Sequence, residues 1–294
     1  MALQSSGAIS LNDIHIEAGG SSGTQCSIND SDIRALISKS SGATMSFSEW
    51  YGASAALTET LSNGDTNVNV STEFGSSNFT SNTAKILIIA SGSEIGATGG
   101  TGNRAITVPS GMSGTLDIQN SGTISGAGGP GGTSSQANGS MGGSAIFIAS
   151  NGVTVTNSGT IRGGGGGGGK GADGATNFTG GGNFRCQGGV GGNGGNGQGF
   201  DQSQSNGVNG TGRLAYLNYL YPHQPGAGPS TIECNASNVY QNGGDGGDGG
   251  NYGVDGGDGG NGGSQGGSKG KYIQLASGIS YSLSNTGTLT GNAP

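Results

Sequence analysis

The chain has 294 residues, 70 of them glycine and 6 proline, a proportion that signals low complexity unless a period organises it. Apolar residues make up 30% and aromatic residues 5%, too little for the large core and deep pocket of a globular enzyme. A formal charge of −7, with ten Lys and Arg scattered along the chain, excludes the cationic face that nucleic-acid binding requires, and no apolar stretch reaches the length of a membrane span.

Residues 1–20 show no cationic segment followed by an apolar run, so no secretory leader is expected. Ile9, Leu11, Ile14 and Ile16 alternate loosely over residues 8–17 and predict one or two short strands. Ser27 stands three residues before Asp30, close to a capping box, and Ile33, Leu36 and Ile37 then recur at helical spacing, which predicts a short amphipathic helix. Phe47, Trp50 and Tyr51 follow at the same spacing. Trp50 is the single tryptophan, so a small helical core is expected here, in a compact α/β module of residues 1–56. Cys26, Cys186 and Cys234 are too widely spaced for a zinc site or a disulfide framework and are expected as reduced thiols.

From residue 57 onward a repeat appears. Residues 118–126 (IQNSGTISG), 155–163 (VTNSGTIRG) and 283–291 (LSNTGTLTG) share the pattern apolar-x-Asn-Ser/Thr-Gly-Thr-Ile/Leu-x-Gly. Each follows a short apolar strand, at 105–108, 145–150 and 272–277, with residues 85–91 as a fourth relative of those strands. In the turn, Gly122, Gly159 and Gly287 are expected to supply positive φ, and Asn120, Asn157 and Asn285 to bond their own backbone. One such unit cannot bury enough apolar surface alone, so the units should stack on each other or on neighbouring subunits, and a homo-oligomer, a trimer, is expected.

Between the units lie glycine blocks: a run of seven at 163–169, GGVGGNGGNGQG at 188–199 and GGDGGDGGNYGVDGGDGGNGG at 243–263, the last with glycine at every third position from 244 to 262. A period of three matches the polyproline-II helix, and with no proline in the X and Y positions collagen is excluded. The expected fold is therefore mainly β with a glycine-rich polyproline-II helix bundle, a small α/β N-terminal module and a repeat-type fibrous architecture. Its divisions are residues 1–56, a β-strand repeat region 57–162, a glycine-rich region 163–271 with an aromatic insert at 200–240, and a C-terminal β-repeat 272–294.

Motifs for chemistry fail one by one. The segment from Gly164 to Lys170 has the spacing of a phosphate-binding loop, but Gly171 stands where Ser or Thr must hold the metal. Asp245, Asp248, Asp255 and Asp258 suggest calcium-binding nonapeptides, yet the apolar position of that repeat is Gly250, so solvated carboxylates are expected and no metal or cofactor is assigned. His15 and His223 lack a nucleophile motif, and a carboxylate pair such as Asp201 and Glu233 is the remaining catalytic option, so no enzyme is expected. Within the insert, Tyr216, Tyr219, Tyr221 and His223 crowd together with Pro222, Pro225 and Pro229, the composition of a recognition surface or of an apolar plug over the glycine bundle.

The runs ISLNDIHIEAGG (9–20), CSINDSDIRALI (26–37) and MSFSEWYGAS (45–54) resemble an N-terminal module of phage tail and fibre structural proteins. Glycine blocks alternating with AIFIAS and NSGTI units resemble the glycine-rich tail-fibre and receptor-binding adhesins of tailed phages, in which polyproline-II helices pack as a sandwich and the segments between them contact the host. The resemblance implies a virion structural protein, located in the tail or fibre and assembled in the host cytoplasm. It implies attachment to other tail or fibre proteins through Ile33, Leu36, Ile37, Phe47, Trp50 and Tyr51, and recognition of a host glycan or outer-membrane protein through Tyr216, Tyr219, Tyr221 and His223. A glycine-rich ice-binding protein is the further alternative.

Overall fold

The computed structural model describes residues 3–53, 55–174, 190–211 and 244–294, and the backbone of residues 177–178, 184–187 and 214–217. Helix α1 (Leu11–Glu17) occupies the segment expected to be strand. Ser10 caps it: its Oγ accepts the Asp13 N–H at 3.1 Å, and the Asp13 carboxylate accepts the Ser10 N–H at 3.0 Å. Ile14 then enters the core with Ala18 packed beside it, so helical spacing prevails over an alternation too short to discriminate. Helix α2 (Ser31–Ala35) carries Ile33, while Leu36 is its C-cap and Ile37 lies beyond it. The Ser27 and Asp30 pair closes a turn ahead of the helix, where the Asp30 carboxylate accepts the Ser27 N–H at 2.7 Å.

A 3-10 turn (Phe47–Trp50), capped by Ser46 and Glu49, delivers Trp50 to the same core. Ile14, Ile33 and Trp50 are fully buried, and the Trp50 indole N–H donates to the Ile33 carbonyl at 3.2 Å. Arg34 is buried beside them with no carboxylate partner among the described residues. Its guanidinium donates to the Ser40 and Ala43 carbonyls and to Asn29 Oδ1, which fastens the loop between α2 and the turn. Cys26 is a free thiol.

From residue 57 the chain winds as a three-faced parallel β-solenoid. The first coil holds β1 (Leu57–Leu61) and β2 (Val68–Asn69), followed by the short helices α3 (Val70–Glu73) and α4 (Ser76–Phe79). The second holds β3 (Lys85–Ile89), β4 (Glu94–Gly96) and β5 (Ile106–Val108), and the third β6 (Leu116–Asn120), β7 (Thr123–Ser125) and β8 (Ile146–Ile148). In the fourth, β9 (Val153–Asn157) and β10 (Thr160–Arg162) precede a long excursion that contains β11 (Asn177–Phe178), β12 (Phe184–Gln187) and β13 (Leu214–Leu217), before β14 (Ile273–Leu275) completes the coil. The last coil holds β15 (Tyr281–Asn285) and β16 (Thr288–Thr290).

Strands of one kind stack in parallel: β1-β3-β6-β9-β15 on the first face, β4-β7-β10-β16 on the second and β2-β5-β8-β14 on the third. Alternate residues point inward, so the interior is built from aligned rows such as Leu87, Ile118 and Val155, then Ile95, Ile124 and Ile161, then Ile106, Ile146 and Ile273, all fully buried. Val70, Phe74 and Phe79 add to that core from the α3 and α4 segment.

The nine-residue repeat is one strand of the first face, a corner, and one strand of the second. Its asparagines bond from coil to coil: Asn120 Nδ2 donates to Asn157 Oδ1, and Asn157 Nδ2 to Asn285 Oδ1, each at 2.7 Å. Asn120 Oδ1 also accepts the Gly122 N–H at 3.2 Å, so the expected bond to the asparagine's own turn is present beside the ladder. The corner glycines Gly122, Gly159 and Gly287 do not take positive φ. They are glycine because a Cβ at Gly159 would fall on the Gly122 carbonyl, and one at Gly287 on the Gly159 carbonyl. Residues 85–91 prove not to be a relative of 105–108, 145–150 and 272–277, since β3 lies on the first face and β5, β8 and β14 on the third. The stacking that each unit needs is met within one chain, which removes the physical reason given for a trimer.

The glycine segments surround residues 163–172. Backbone N–H groups of Gly164, Gly167 and Lys170 donate to residues 137–143, those of Gly165, Gly168 and Gly171 to residues 192–198, and those of Gly166, Gly169 and Ala172 to residues 254–260. The period of three therefore counts neighbours: every third residue faces the same one. The expected mainly β chain with a polyproline-II bundle and fibrous repeats is corrected accordingly. Regular structure is α/β, with parallel sheets and a few short helices, the repeats form one solenoid, and the glycine segments belong to no regular element.

Candidate functional site

Three excursions leave the solenoid at one corner, between the second and third faces: residues 97–105, 126–144 and 163–272. The second runs outward along 126–132, turns where the Thr133 N–H donates to the Gln136 carbonyl at 2.6 Å, and returns along 137–143. The third runs out along 163–172, back along 190–198, out along 205–211, back along 244–250, out along 254–260 and back along 264–270, as the neighbour bonding shows. Its turns at 199–203 and 251–253 lie against the solenoid. At the far end lie the turns 133–136 and 261–263, beside the neighbouring ends of the other runs at 172, 190–192, 211 and 244.

Neighbouring segments approach too closely for side chains. A Cβ at Gly168 would fall on the Gly247 carbonyl, and one at Gly167 on the Pro130 carbonyl. Along the flanks, where no further segment accepts the outward N–H groups, side chains do so. Asp248 Oδ1 accepts from Gly207, Asp245 Oδ1 from Gly210 and Asp258 Oδ1 from Gly266, each at 2.9 Å, and Asp255 Oδ1 accepts from Lys269 at 2.7 Å. The four aspartates, expected as solvated carboxylates, are exposed and at the same time serve as acceptors for the outermost backbone, and among the described residues no group of side chains is arranged to hold a metal. Lys170, expected to fail as a phosphate binder, donates from Nζ to Asp173 Oδ1, and Asp173 Oδ1 also accepts the Gly191 N–H at 2.8 Å. That lysine bond holds the Asp173 carboxyl below its ordinary value.

A polar clamp joins this platform to the second face. Arg162 pairs with Glu94 at 2.7 Å, donates from Nε to Ser125 Oγ at 2.8 Å, and lies 3.7 Å from the centroid of the Tyr252 ring. Phe200 rests on Gly96, where a Cβ would collide with its ring. Burial pushes the Tyr252 hydroxyl above its ordinary value. Asp201 Oδ2 accepts the Gly99 N–H at 3.1 Å. The carboxylate pair considered for catalysis is not seen, since Glu233 lies outside the described residues.

Of the expected attachment residues, Ile33 and Trp50 are core and unavailable to a partner, and Leu36 and Ile37 are half-buried against that core. Phe47 and Tyr51 are 46% and 38% exposed. Ile16, which is not among the expected attachment residues, is 45% exposed on α1. Of the expected receptor residues, Tyr216 sits on β13 opposite Arg185 of β12, in a small antiparallel sheet, β11-β12-β13. Tyr219, Tyr221 and His223 lie outside the described residues. Residues 200–211, assigned from sequence to the aromatic insert, are a proximal turn and an outward glycine-platform segment. The first pair of platform segments, 126–143, was also missed, although Gly126, Gly129 and Gly132 carry the three-residue spacing that could have revealed them.

A solenoid with a cross-bonded platform on one corner, whose runs end together away from the solenoid, is the construction of a protein that presents a surface. The family model for the phage tail fibre adhesin Gp38 matches residues 55–294, and the chain belongs to that family. Its fold is similar to that in the crystal structure of the gp37–gp38 adhesin tip complex of the bacteriophage S16 long tail fibre, with a TM-score of 0.58 and 17% identity over 96% of each chain. No curated protein matches the sequence.

Proposed function

We propose that the chain is the receptor-binding subunit of a phage tail fibre, fixed to the fibre by residues 1–56 and touching a host glycan or outer-membrane protein with the distal end of its glycine platform. The observation that carries this reading is that the platform runs end together opposite the solenoid, at the turns 133–136 and 261–263 and at residues 172, 190–192, 211 and 244, and in sequence Tyr216 follows the run that ends at 211. Loops held on a cross-bonded platform are free to vary without disturbing the bonds beneath them. The Tyr216, Tyr219, Tyr221 and His223 group is the proposed contact. Deleting residues 214–229 should leave the platform folded and abolish adsorption to host cells; undiminished adsorption by a folded deletion variant refutes the assignment.

The attachment face is proposed to centre on Phe47, Tyr51 and Ile16, with Leu36 and Ile37 at its margin and Ile33 and Trp50 supporting it from below. Residues 1–54 of this module lie outside the residues that the family model matches. The complex named for the structural neighbour joins a gp38 to a gp37, and an equivalent fibre partner is proposed here. Phe47→Ser should weaken capture by the fibre while leaving adsorption surfaces intact. Self-association as a trimer would have to use the open last coil, where Leu283 is 37% exposed and Tyr281 and Leu289 are half-buried; sedimentation of a well-folded monomer refutes it.

A further inference from the structure

The third face of the solenoid carries a cleft of about 400 Å³. Its floor is the outward row Asn69, Thr107, Phe147 and Gln274, aligned across β2, β5, β8 and β14 by the strand register. Arg104, in the loop that enters β5, reaches over β8 to Gln274 Oε1, to which Nε donates at 3.0 Å and Nη2 at 2.8 Å. Its Nη1 donates to the carbonyls of Thr101, Gly102 and Asn103. Ser144 Oγ also donates to Gln274 Oε1, at 3.2 Å.

Every acceptor of Arg104 is neutral, and among the described residues no carboxylate pairs with this half-buried cation. Burial pulls the guanidinium below its ordinary value, yet it remains protonated at neutral pH. Around it, donors are left over. Among the described residues one Nη2 N–H has no acceptor, the three bonds to the Gln274 side chain all go to Oε1 and leave its Nε2 N–H groups over, and Asn69, whose Oδ1 caps α3 through the Ser71 N–H, has its Nδ2 left over as well. In a chain of net charge −7, a cleft with a fixed cation, three spare N–H donors and no acidic lining is a local exception.

We propose that this cleft binds an anionic saccharide, a sugar bearing a carboxylate or a phosphate. The anion meets Arg104 and the Gln274 and Asn69 amides, in the charge-assisted geometry that guanidinium and amide donors favour. Phe147 supplies the apolar wall against which the C–H face of a pyranose ring packs, and Thr107 and Asn103 Oδ1 meet ring hydroxyls. The volume suits one or two sugar units.

The test is titration of the whole chain at low salt with glucuronate, glucose 6-phosphate, inorganic phosphate and, as the neutral control, methyl glucoside, read by calorimetry or ligand-observed NMR. Acidic sugars are expected to bind and the neutral one not; preference for glucuronate or for the phosphate identifies which anion the cleft takes. Inorganic phosphate should bind more weakly than the sugar phosphate, because it lacks the ring. Arg104 also organises its own loop, so the decisive variant is Asn69→Asp, which keeps the cap on Ser71 and places a negative charge in the cleft. It should preserve the melting temperature and weaken acidic-sugar binding by at least about tenfold. The proposal is overturned if no acidic sugar binds, if the neutral sugar binds as well as the acidic ones, or if a folded Asn69→Asp variant binds them unchanged.

Discussion

Replacing Gly168 by alanine tests whether the glycine platform is held by backbone contact. The Gly168 N–H donates to the Gly195 carbonyl at 2.8 Å, and its carbonyl accepts the Gly132 N–H at 2.7 Å. The new methyl would land on the Gly247 carbonyl. Residues 244–250 cannot retreat freely, because Gly247 and Gly250 donate to the carbonyls of Gly169 and Gly166, each at 2.8 Å. Weakening those two bonds costs about 1–3 kcal/mol and forcing a methyl into a filled space about 1–3 kcal/mol, while the stiffer unfolded chain returns about 0.4–1 kcal/mol. The expected net loss is about 2–4 kcal/mol in denaturant unfolding, with faster amide exchange at residues 192–198 and 244–250. Gly102→Ala is the matched control: its φ is ordinary, nothing stands within 4 Å of the new Cβ, and the change should stay within about 0.5 kcal/mol of wild type. If Gly168→Ala is as stable as Gly102→Ala, the platform is not close-packed and the account of its glycines is wrong.

Asn157→Ala removes the central member of the asparagine ladder, leaving Asn285 Oδ1 without its donor and Asn120 Nδ2 with the Thr160 carbonyl alone, for an expected loss of about 2–3 kcal/mol in thermal or denaturant unfolding. Lys85 is buried, and its Nζ donates to the carbonyls of Ser81, Thr83 and Ser113 at 2.7–3.0 Å; Lys85→Met should cost about 2–3 kcal/mol, and Lys85→Ala more, since it also loses the packed stem. Acid should loosen the distal side of the platform near Asp173. Its folded value lies below the ordinary 3.8, so the contribution is complete above 3.8 and is lost as pH falls through the folded value, because the unfolded chain takes up the proton first. Amide exchange at Gly191, whose N–H Asp173 accepts, should therefore accelerate below that pH in wild type and be pH-independent in this sense in Asp173→Asn.

Much was legible because it is local. The nine-residue repeat marks a strand, a corner and a strand whatever it stacks upon, and the single Trp50 among helical apolar spacings marks the small N-terminal core. The three-residue glycine spacing announces a backbone with different neighbours on three sides. What the spacing does not contain is the identity of those neighbours: residues 137–143, 192–198 and 254–260 meet 163–172 only after separate excursions fold back, so the class of structure, the proximal role of residues 200–211 and the placement of 126–143 followed from tertiary contact.

The same division runs through individual residues. Ser10 and Asp13 could have named α1 from sequence, since a capping box is local, whereas the loose alternation of Ile9 to Ile16 pointed elsewhere. Gly122, Gly159 and Gly287 were recognisable as obligatory glycines, but the reason, a carbonyl of the adjacent coil, lies about 30 or more residues away in sequence. Asp245, Asp248, Asp255 and Asp258 are exposed, as a linear reading expects, but their role as backbone acceptors is not legible there because their donors stand 8 to 41 residues away. By itself the chain determined which stretches are extended, where they must turn and where only a hydrogen fits in place of a side chain. Which stretches touch, and hence the clamp at Arg162, the cleft at Arg104 and the alignment of the platform runs, was decided by the tertiary structure, because hydrogen bonds between distant backbones depend on position in space and leave no mark in local composition.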